Sequence, residues 1–245
     1  MTSEGVDVIQ GVDLSKPIVW QVLGMSADTY HAWLNAPNLG RNAPSMRFFA
    51  SDVMEGFSKS KWWYIPLYSF PAMWYFIKWS IPDVGVVATA VSFVVGLLLW
   101  TFVEYLLHRF LFHGFEKLSI FTHFFLHGVH HVTPQDTDRL VFPPVMIAGL
   151  CCVVYPILKC FGPYQWGVGA GVALGYFVYD SIHFYTHHSK PNTCIGPLKS
   201  FRQYHMNHHF ANHDVSFGVS SPLWDYVFGT VGTWSVSNPK GKKIQ

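Results

Sequence analysis

The histidines of this chain are crowded into a few short segments. Of its fourteen histidines, all but His31 lie in four clusters, at 108–113, 123–131, 183–188 and 205–213. A neutral imidazole is a good ligand for iron, zinc and copper, so this crowding predicts a metal site. Since the first and last clusters are about a hundred residues apart, the fold must bring distant parts of the chain together.

The composition favours a membrane protein. Half of the residues are hydrophobic, 18% are aromatic and only 12% are charged, far below the quarter expected of a soluble domain. Four uncharged stretches are near the roughly 20 residues that cross a bilayer, with approximate bounds 62–80, 84–107, 141–161 and 163–182. We therefore predict an all-α integral membrane protein with four transmembrane helices in two hairpins, and we expect no nucleic-acid partner.

The positive charges predict the orientation of these helices. Of the sixteen lysines and arginines, only Lys78 and Lys159 fall at the two short hairpin loops, so both termini are expected in the cytoplasm. Residues 1–60 lack the pattern of a cleavable signal peptide, and the first spanning helix is expected to serve as the signal. This topology places all four histidine clusters on the cytoplasmic face, as a shared metal centre requires.

Two regions follow from this topology. Residues 1–61 hold no spanning stretch and are expected to pack on the cytoplasmic cap. Residues 62–245 form the membrane region, with histidine segments 108–131 and 183–213 building a helical cap that holds the site.

Spacing within the clusters indicates helical ligand pairs. The runs HGVHH at 127–131 and HMNHH at 205–209 both read HxxHH, and residues three or four apart share a helix face. His183 and His187 share a face in the same way, whereas His188 points about 100° away. His108 and His113 are five apart, so a helix end or a π-bulge is needed to make them converge.

The number of imidazoles indicates two ions, because ten or more cannot fit around one first-row metal. Three of the four cysteines, Cys151, Cys152 and Cys160, fall within or at the end of the third spanning stretch, and only Cys194 is near the clusters, so thiolate ligands are not expected. Iron suits a redox role on an apolar substrate, and zinc is compatible with the same ligands in purified samples.

Several further polar residues are candidates for supporting the ligands through hydrogen bonds. Glu104 lies one helical turn before His108, and Asp180 lies three residues before His183. A ligating imidazole usually donates its second N–H to a carboxylate or a carbonyl. The remaining candidates for such supporting or uncertain roles are His123, His188, His213, Asp136, Arg139, Asn207 and Asp225.

The order and gaps of the histidine motifs resemble the membrane fatty acid hydroxylase and sterol desaturase superfamily. Within it, two further segments, TPQDTDRLVFPP at 133–144 and WDYVFGT at 224–230, are similar to the fatty acid 2-hydroxylases of sphingolipid synthesis. The similarity extends upstream to KPIVWQV at 16–22 and RFFASD at 47–52, so it covers nearly the whole chain.

The resemblance implies a non-haem di-iron oxygenase that uses O2 to hydroxylate the carbon beside the carbonyl of a long acyl chain, presented as fatty acid, acyl-CoA or ceramide. Matching position by position gives ten metal ligands: His108, His113, His127, His130, His131, His183, His187, His205, His208 and His209. By the same matching, His123 and His188 are not ligands.

The expected electron donor is a separate protein. Many fungal and animal relatives carry a fused cytochrome b5 domain with an HPGG motif, and His31 lies in TYHAWL, which is no such motif. Electrons are therefore expected from a separate cytochrome b5 and its reductase. The final KKIQ has the form of a dilysine retrieval signal, which favours the endoplasmic reticulum membrane.

Two alternatives remain open from the sequence. Another member of the superfamily, such as a sterol C4 or C5 oxidase or a sphinganine C4 hydroxylase, would share the clusters and the topology. A histidine-rich metal transporter would place polar ligands near the middle of the bilayer, whereas the mid-helix positions here are almost wholly apolar.

Overall fold

Helices make up most of the described chain. The computed structural model describes residues 8–9, 11–35, 45–114, 119–190, 193 and 196–232. Cys194 and the dilysine motif at 242–245 lie outside these residues. The expectation of a helical protein is confirmed, with one small exception near the amino terminus.

That exception is an antiparallel pair of two-residue strands, β1 (Val8–Ile9) and β2 (Val12–Asp13). Gly11 has a φ of 88°, which only glycine adopts at low cost and which permits so tight a turn. Three short helices follow: α1 (Val19–Leu23), α2 (Ala27–Leu34) and α3 (Asp52–Phe57). Serine side chains cap α2 and α3 by accepting hydrogen bonds from backbone N–H groups in the first turn.

The long apolar element α4 (Tyr64–Leu106) changes direction at Gly85, which has a non-helical φ of 82°. The hydroxyls of Ser80 and Thr89 lie 2.9 Å apart across this break, far closer than nine residues of straight helix would allow. The stretches predicted at 62–80 and 84–107 are therefore the two parts of α4, and they lie side by side next to Gly85.

The helix α8 (Gln165–His188) packs against both parts of α4. The Tyr176 ring contacts Tyr68 before the break and Trp100 after it. Glycine at position 96 allows α4 and α8 to approach closely. A Cβ at this position would lie 2.1 Å from the Val168 carbonyl oxygen, so a larger residue would not fit. Since α8 continues to His188, it carries His183 and His187 on the same helix as its apolar residues.

The predicted spans differ in how well they match the length of a bilayer. Among the described residues, only Tyr64–Phe112 is both long and apolar enough to cross a membrane by composition. The helix α7 (Pro144–Lys159) is apolar but shorter, and a 3-10 turn at Gly162–Tyr164 joins it to α8. Large apolar side chains on α4, such as Val87 and Leu98, point outward.

The remaining helices lie beyond the ends of α4 and α8. They are α5 (Ile120–His123), α6 (Val129–Val132), α9 (Pro197–Phe210) and α10 (Leu223–Phe228). A π-helix at Leu107–Phe112 extends α4, and a second one at Phe124–Gly128 joins α5 to α6. Together, residues 107–114, 119–132 and 197–232 form what we call the cap.

The amino-terminal segment packs on one side of the cap. Tyr30, Trp33 and Phe48 share a buried cluster with Phe124 and Val129. Buried aromatic and aliphatic side chains of this size each contribute about 1.5–3 kcal/mol to folding. This contact holds the amino-terminal segment beside the histidine-bearing helices.

Candidate metal centre

The structure gathers ten of the histidines into two groups of five. The first histidine group is His108, His113, His127, His131 and His208. The second histidine group is His130, His183, His187, His205 and His209. Within each group, the five nitrogen atoms that could bind a metal all lie within 4.8 Å of one another. The ten ligands predicted from the resemblance are the same ten residues.

Local helix geometry explains how the two groups are divided. In each HxxHH run, the first and last histidines are four apart and share a helix face, while the middle one points elsewhere. His127 and His131 therefore enter the first group, and His130 enters the second. The run on α9 does the reverse, since His205 and His209 enter the second group and His208 enters the first. Each run thus contributes to both groups and holds them together.

Each group is completed by a pair from one of the apolar helices. His183 and His187 on α8 complete the second group, and His108 and His113 complete the first. Over Leu107–Phe112 the chain is a π-helix, and His113 N–H donates to the His108 carbonyl across five residues. Their ring centroids are 5.1 Å apart. The spacing predicted either a helix end or a π-bulge at this point, and the structure has the π-helical form.

The nitrogen geometry fits metal ions better than direct hydrogen bonding. Two imidazole nitrogens at right angles on one ion, with bonds of about 2.1 Å, are about 3.0 Å apart. Neighbouring Nε2 atoms within the groups are separated by 2.8–3.1 Å, as for His131 and His127 at 2.8 Å. A single shared proton can link only two nitrogens, whereas each group brings five together.

Backbone carbonyls fix the tautomer of two ligands in the first group. His108 Nδ1 donates to the Phe217 carbonyl, and His208 Nδ1 donates to the Val215 carbonyl at 2.8 Å. Because the proton is then on Nδ1, Nε2 carries a lone pair that points into the group. This is the arrangement that a ligating histidine needs.

Burial keeps the cap imidazoles neutral. It lowers the pKa of His127, His131 and His209 well below 6.5, and the neighbouring histidines lower it further. Neutral rings retain the lone pair that binds a cation, so the donor set fits transition-metal ions such as iron and zinc.

Two predicted carboxylates support the first group through a loop. Glu104 accepts hydrogen bonds from the Val219 and Ser220 N–H groups, at 2.6 and 2.7 Å. Asp225 accepts from the Phe217 and Gly218 N–H groups, at 2.9 and 2.8 Å. The loop at 215–220 in turn offers the carbonyls that hold the imidazoles. The sequence indicated these acids, but not that they act through backbone.

Asp136 and Arg139 lie where the cap meets the amino-terminal segment. Arg139 donates to the Met46 carbonyl, to Ser58 and to the Glu55 carboxylate at 2.5 Å. Asp136 accepts from the Ser45 hydroxyl at 2.7 Å. These hydrogen bonds join the cap to that segment at a junction that no sequence motif indicated.

The other two predicted supporting residues are buried near the groups. Asp180 is buried, and its Oδ2 atom has no hydrogen-bond partner among the described residues. Asn207 lies between ligands on α9, and its amide is close enough to Gly232 that a Cβ there would be 2.4 Å away.

Three further histidines lie close to the groups without joining them. His123 Nδ1 is 2.7 Å from the Tyr30 hydroxyl, and the His213 ring is 4.7 Å from the His131 ring. The His188 ring packs against the Phe184 ring, with their centroids 4.3 Å apart. Among the described residues, the groups of five therefore include none of these three, nor His31.

An apolar cavity of about 390 Å³ opens beside both groups. It reaches His127 of the first group and His130 and His183 of the second. Phe112, Phe125 and Val145 are among the apolar side chains that line it. Phe124, the neighbour of Phe125 in the chain, lies instead in the core with Trp33.

Ten imidazoles in two groups, beside an apolar cavity and at the ends of apolar helices, define a candidate metal centre for a lipid enzyme. The family described as fatty acid hydroxylase matches residues 93–230. The chain therefore belongs to the fatty acid hydroxylase family, and the resemblance seen in its motifs is confirmed.

Individual relatives agree with this assignment. The dihydroceramide fatty acyl 2-hydroxylase FAH1 of Arabidopsis thaliana is 40% identical, over 92% of this chain and 96% of its own length. The human fatty acid 2-hydroxylase is 36% identical, over 90% of this chain and 64% of its own length. A solved structure of scs7p, in which only the hydroxylase domain is visible, superposes with a TM-score of 0.82 at 35% identity, covering 91% of this chain and 86% of that one.

Proposed function

We propose that this protein is an O2-dependent di-iron enzyme that hydroxylates carbon 2 of long or very long acyl chains for sphingolipid synthesis. The observation that carries the proposal is the pair of five-imidazole groups, both lining one apolar cavity. The names of the relatives support the reaction class, since they are fatty acid and ceramide hydroxylases.

Iron bound by the two groups would supply the reduction of O2 and an oxidant strong enough to break an unactivated C–H bond, which side chains alone cannot do. The ten histidines listed above would hold the two ions. The loop at 215–220 would keep His108 and His208 in the tautomer that binds metal. A separate cytochrome b5 and its reductase would supply the electrons.

The cavity supports the choice of an acyl substrate. Its volume of about 390 Å³ lies within the usual range of small-molecule sites, and its lining is mostly apolar. An acyl chain of the substrate lying in this cavity would bring one of its methylene groups next to His127, His130 and His183. Phe112 and Phe125 would exclude water from it. Positioning of this kind decides which carbon reacts.

Asp180 favours ceramide over a free fatty acid as the substrate. It lines the cavity, it is buried, and its Oδ2 atom has no hydrogen-bond partner among the described residues. A buried unpaired acceptor is costly, so a donor from the substrate would be stabilising. A ceramide offers an amide N–H and hydroxyls, whereas an ionised fatty acid offers no donor near carbon 1.

Expression in a host that lacks 2-hydroxylase activity tests the reaction. We expect ceramide-bound 2-hydroxy acids in lipid extracts by mass spectrometry, and none with a His205→Ala variant. Altered sterols, or hydroxylation of the sphingoid base, would contradict the proposal in favour of another superfamily member. Asp180→Asn, assayed on ceramide and free acid in parallel, is expected to reduce turnover of ceramide more.

We also propose four membrane spans, both termini and the metal centre in the cytoplasm, and residence in the endoplasmic reticulum. The break at Gly85 and the packing of Trp166 on Phe76 support two adjacent hairpin loops at one end of the helices. Cysteines placed at Lys78 and Lys159 should react with an impermeant reagent only from the luminal side. Labelling of either from the cytosol would contradict this topology.

A further inference from the structure

The metal centre borders a second cavity whose chemistry differs from that of the apolar one. This cavity has a volume of about 230 Å³, room for several waters at about 30 Å³ each. We call it the loading cavity, and it is lined by Leu34, Asn35, His113, His123, His131, His213 and Asp214. Two of these residues, His113 and His131, belong to the first histidine group.

The loading cavity is where the centre is reachable from water. Nine of the ten grouped histidines are buried, and only His113 is half-buried. His113 faces this cavity, and the adjoining Asn35 and Asp214 are exposed. The apolar cavity offers a metal ion a costly path, because moving a charge into apolar surroundings is strongly unfavourable unless it is paired.

Three groups in the loading cavity have the chemistry of metal ligands without belonging to either five-histidine group. Asp214 supplies a carboxylate at the mouth. The His213 ring lies 4.7 Å from His131 and 6.4 Å from His113 between ring centroids. His123 is 2% exposed, and its Nε2 atom has no hydrogen-bond partner among the described residues, while Tyr30 engages Nδ1.

These groups form a graded path from solvent to the first histidine group. An exposed carboxylate attracts a hydrated cation, and a cleft of one charge sign concentrates such ions. Imidazoles further inside then replace water molecules one at a time, so that the ion is never left without ligands. Both ligand types suit divalent first-row metals.

We propose that the loading cavity is a transit site for divalent metal ions, at which Asp214, His213 and His123 capture an ion and pass it to His113 and His131. This inference rests on the proposed two-ion centre. It assigns a role to His123 and His213 that differs from ligation in the finished centre.

The rate of metal uptake tests the proposal. Full-length protein in detergent is stripped with a chelator and mixed with Co²⁺, whose visible absorption reports imidazole coordination. The double variant His213→Gln with Asp214→Asn is expected to bind two Co²⁺ per chain with the wild-type spectrum, but roughly tenfold more slowly, a size typical of lost electrostatic focusing. Asp214→Glu in place of Asp214→Asn should recover part of the rate.

The control is His188→Gln, which removes a histidine at the end of α8 that lies outside the loading cavity and both groups. It should bind Co²⁺ at the wild-type rate. Equal rates in the wild type and the double variant would overturn the loading proposal, as would equal slowing in the control. A wild type that binds fewer than two ions would instead contradict the two-ion centre itself, and the loading proposal would fall with it.

Discussion

The two histidine groups have the same number of ligands but opposite surroundings. The first group lies against the loop at 215–220, whose carbonyls orient His108 and His208, and one of its members is half-buried. The second group is wholly buried, and the Nδ1 atoms of His187, His205 and His209 have no hydrogen-bond partner among the described residues. The first group is therefore oriented by its neighbours, whereas the second is held mainly by the packing of its helices.

Two histidines three residues apart on α9 give the largest expected effect and test whether the two histidine groups bind separate ions. His208→Ala should remove one ion from the first group, and His205→Ala should remove one from the second. Each should lower hydroxylation by more than about a hundredfold, because loss of a ligand exceeds the effect of losing a supporting group. Metal analysis and product formation measure both. The control is Lys199→Ala, an exposed position on the same helix, and this variant should still bind two ions. If His208→Ala and His205→Ala each lost both ions, the two groups would not be separate sites.

The support given by the loop at 215–220 should affect metal binding by the first histidine group only. Glu104→Gln weakens the acceptor of the Val219 and Ser220 N–H groups, so the loop carbonyls should hold the first group less firmly. We expect metal affinity to fall about 10–100-fold at the first site and to stay unchanged at the second. Competition with a chelator resolves the two sites. Equal weakening at both would mean that Glu104 acts on the fold as a whole.

Filling the apolar cavity should reduce turnover without disturbing either ion. Val145 lines the cavity on α7, and a tryptophan there would displace about two methylene groups of the substrate. At about 0.8 kcal/mol per buried CH2, kcat/KM should fall roughly tenfold. Val153→Trp is the matched control, since Val153 is an exposed valine on α7 outside the cavity lining. A similar loss in both variants would argue against the cavity as the substrate site.

The smallest effect concerns the ion pair that joins Glu55 of the amino-terminal segment to Arg139, a residue that lines the apolar cavity. Burial raises the pKa of Glu55, but the Phe49 N–H group, the charge of Arg139 and Lys59 outweigh it and hold the pKa below 4.5. A lowered pKa stabilises the fold above pH 4.5, and that contribution is lost as the pH falls through the folded value. Glu55→Gln should therefore lower the free energy of unfolding by about 1–2 kcal/mol at pH 7.

Thermal unfolding in detergent at several pH values measures this difference. The gap between wild type and Glu55→Gln should narrow as the pH falls below 4.5. A gap that stays constant with pH would show that the Glu55 charge contributes nothing and that only the shape of the side chain matters.

Much of the metal centre could be predicted from the sequence because the spacing of histidines within short runs determines which of them share a helix face. Helical periodicity gives the faces of HGVHH and HMNHH. The five-residue gap from His108 to His113 predicts a helix end or a π-bulge, and the structure has the π-helix. The same periodicity could have predicted how each run divides between the two groups, since His130 and His208 are the members that point away from their i, i+4 pairs. The break near Gly85 also agrees with the expected end of the first hydrophobic stretch.

The parts that sequence reasoning missed depend on contacts between distant residues. That Glu104 and Asp225 hold a loop, rather than an imidazole, follows only once α4 and residues 217–220 are adjacent. Arg139 binds Met46 and Glu55 about ninety positions away, and no spacing rule predicts such a pair. The short strands near Gly11 were missed because two-residue strands have no periodicity to detect.

Anomalous scattering at the iron absorption edge, from crystals of the iron-loaded protein, tests the central claim most directly. The account predicts two peaks, one within about 2.0–2.2 Å of the Nε2 atoms of the first histidine group and one at the same distance from those of the second. A single peak, or two peaks whose ligands mix the two groups, would contradict it.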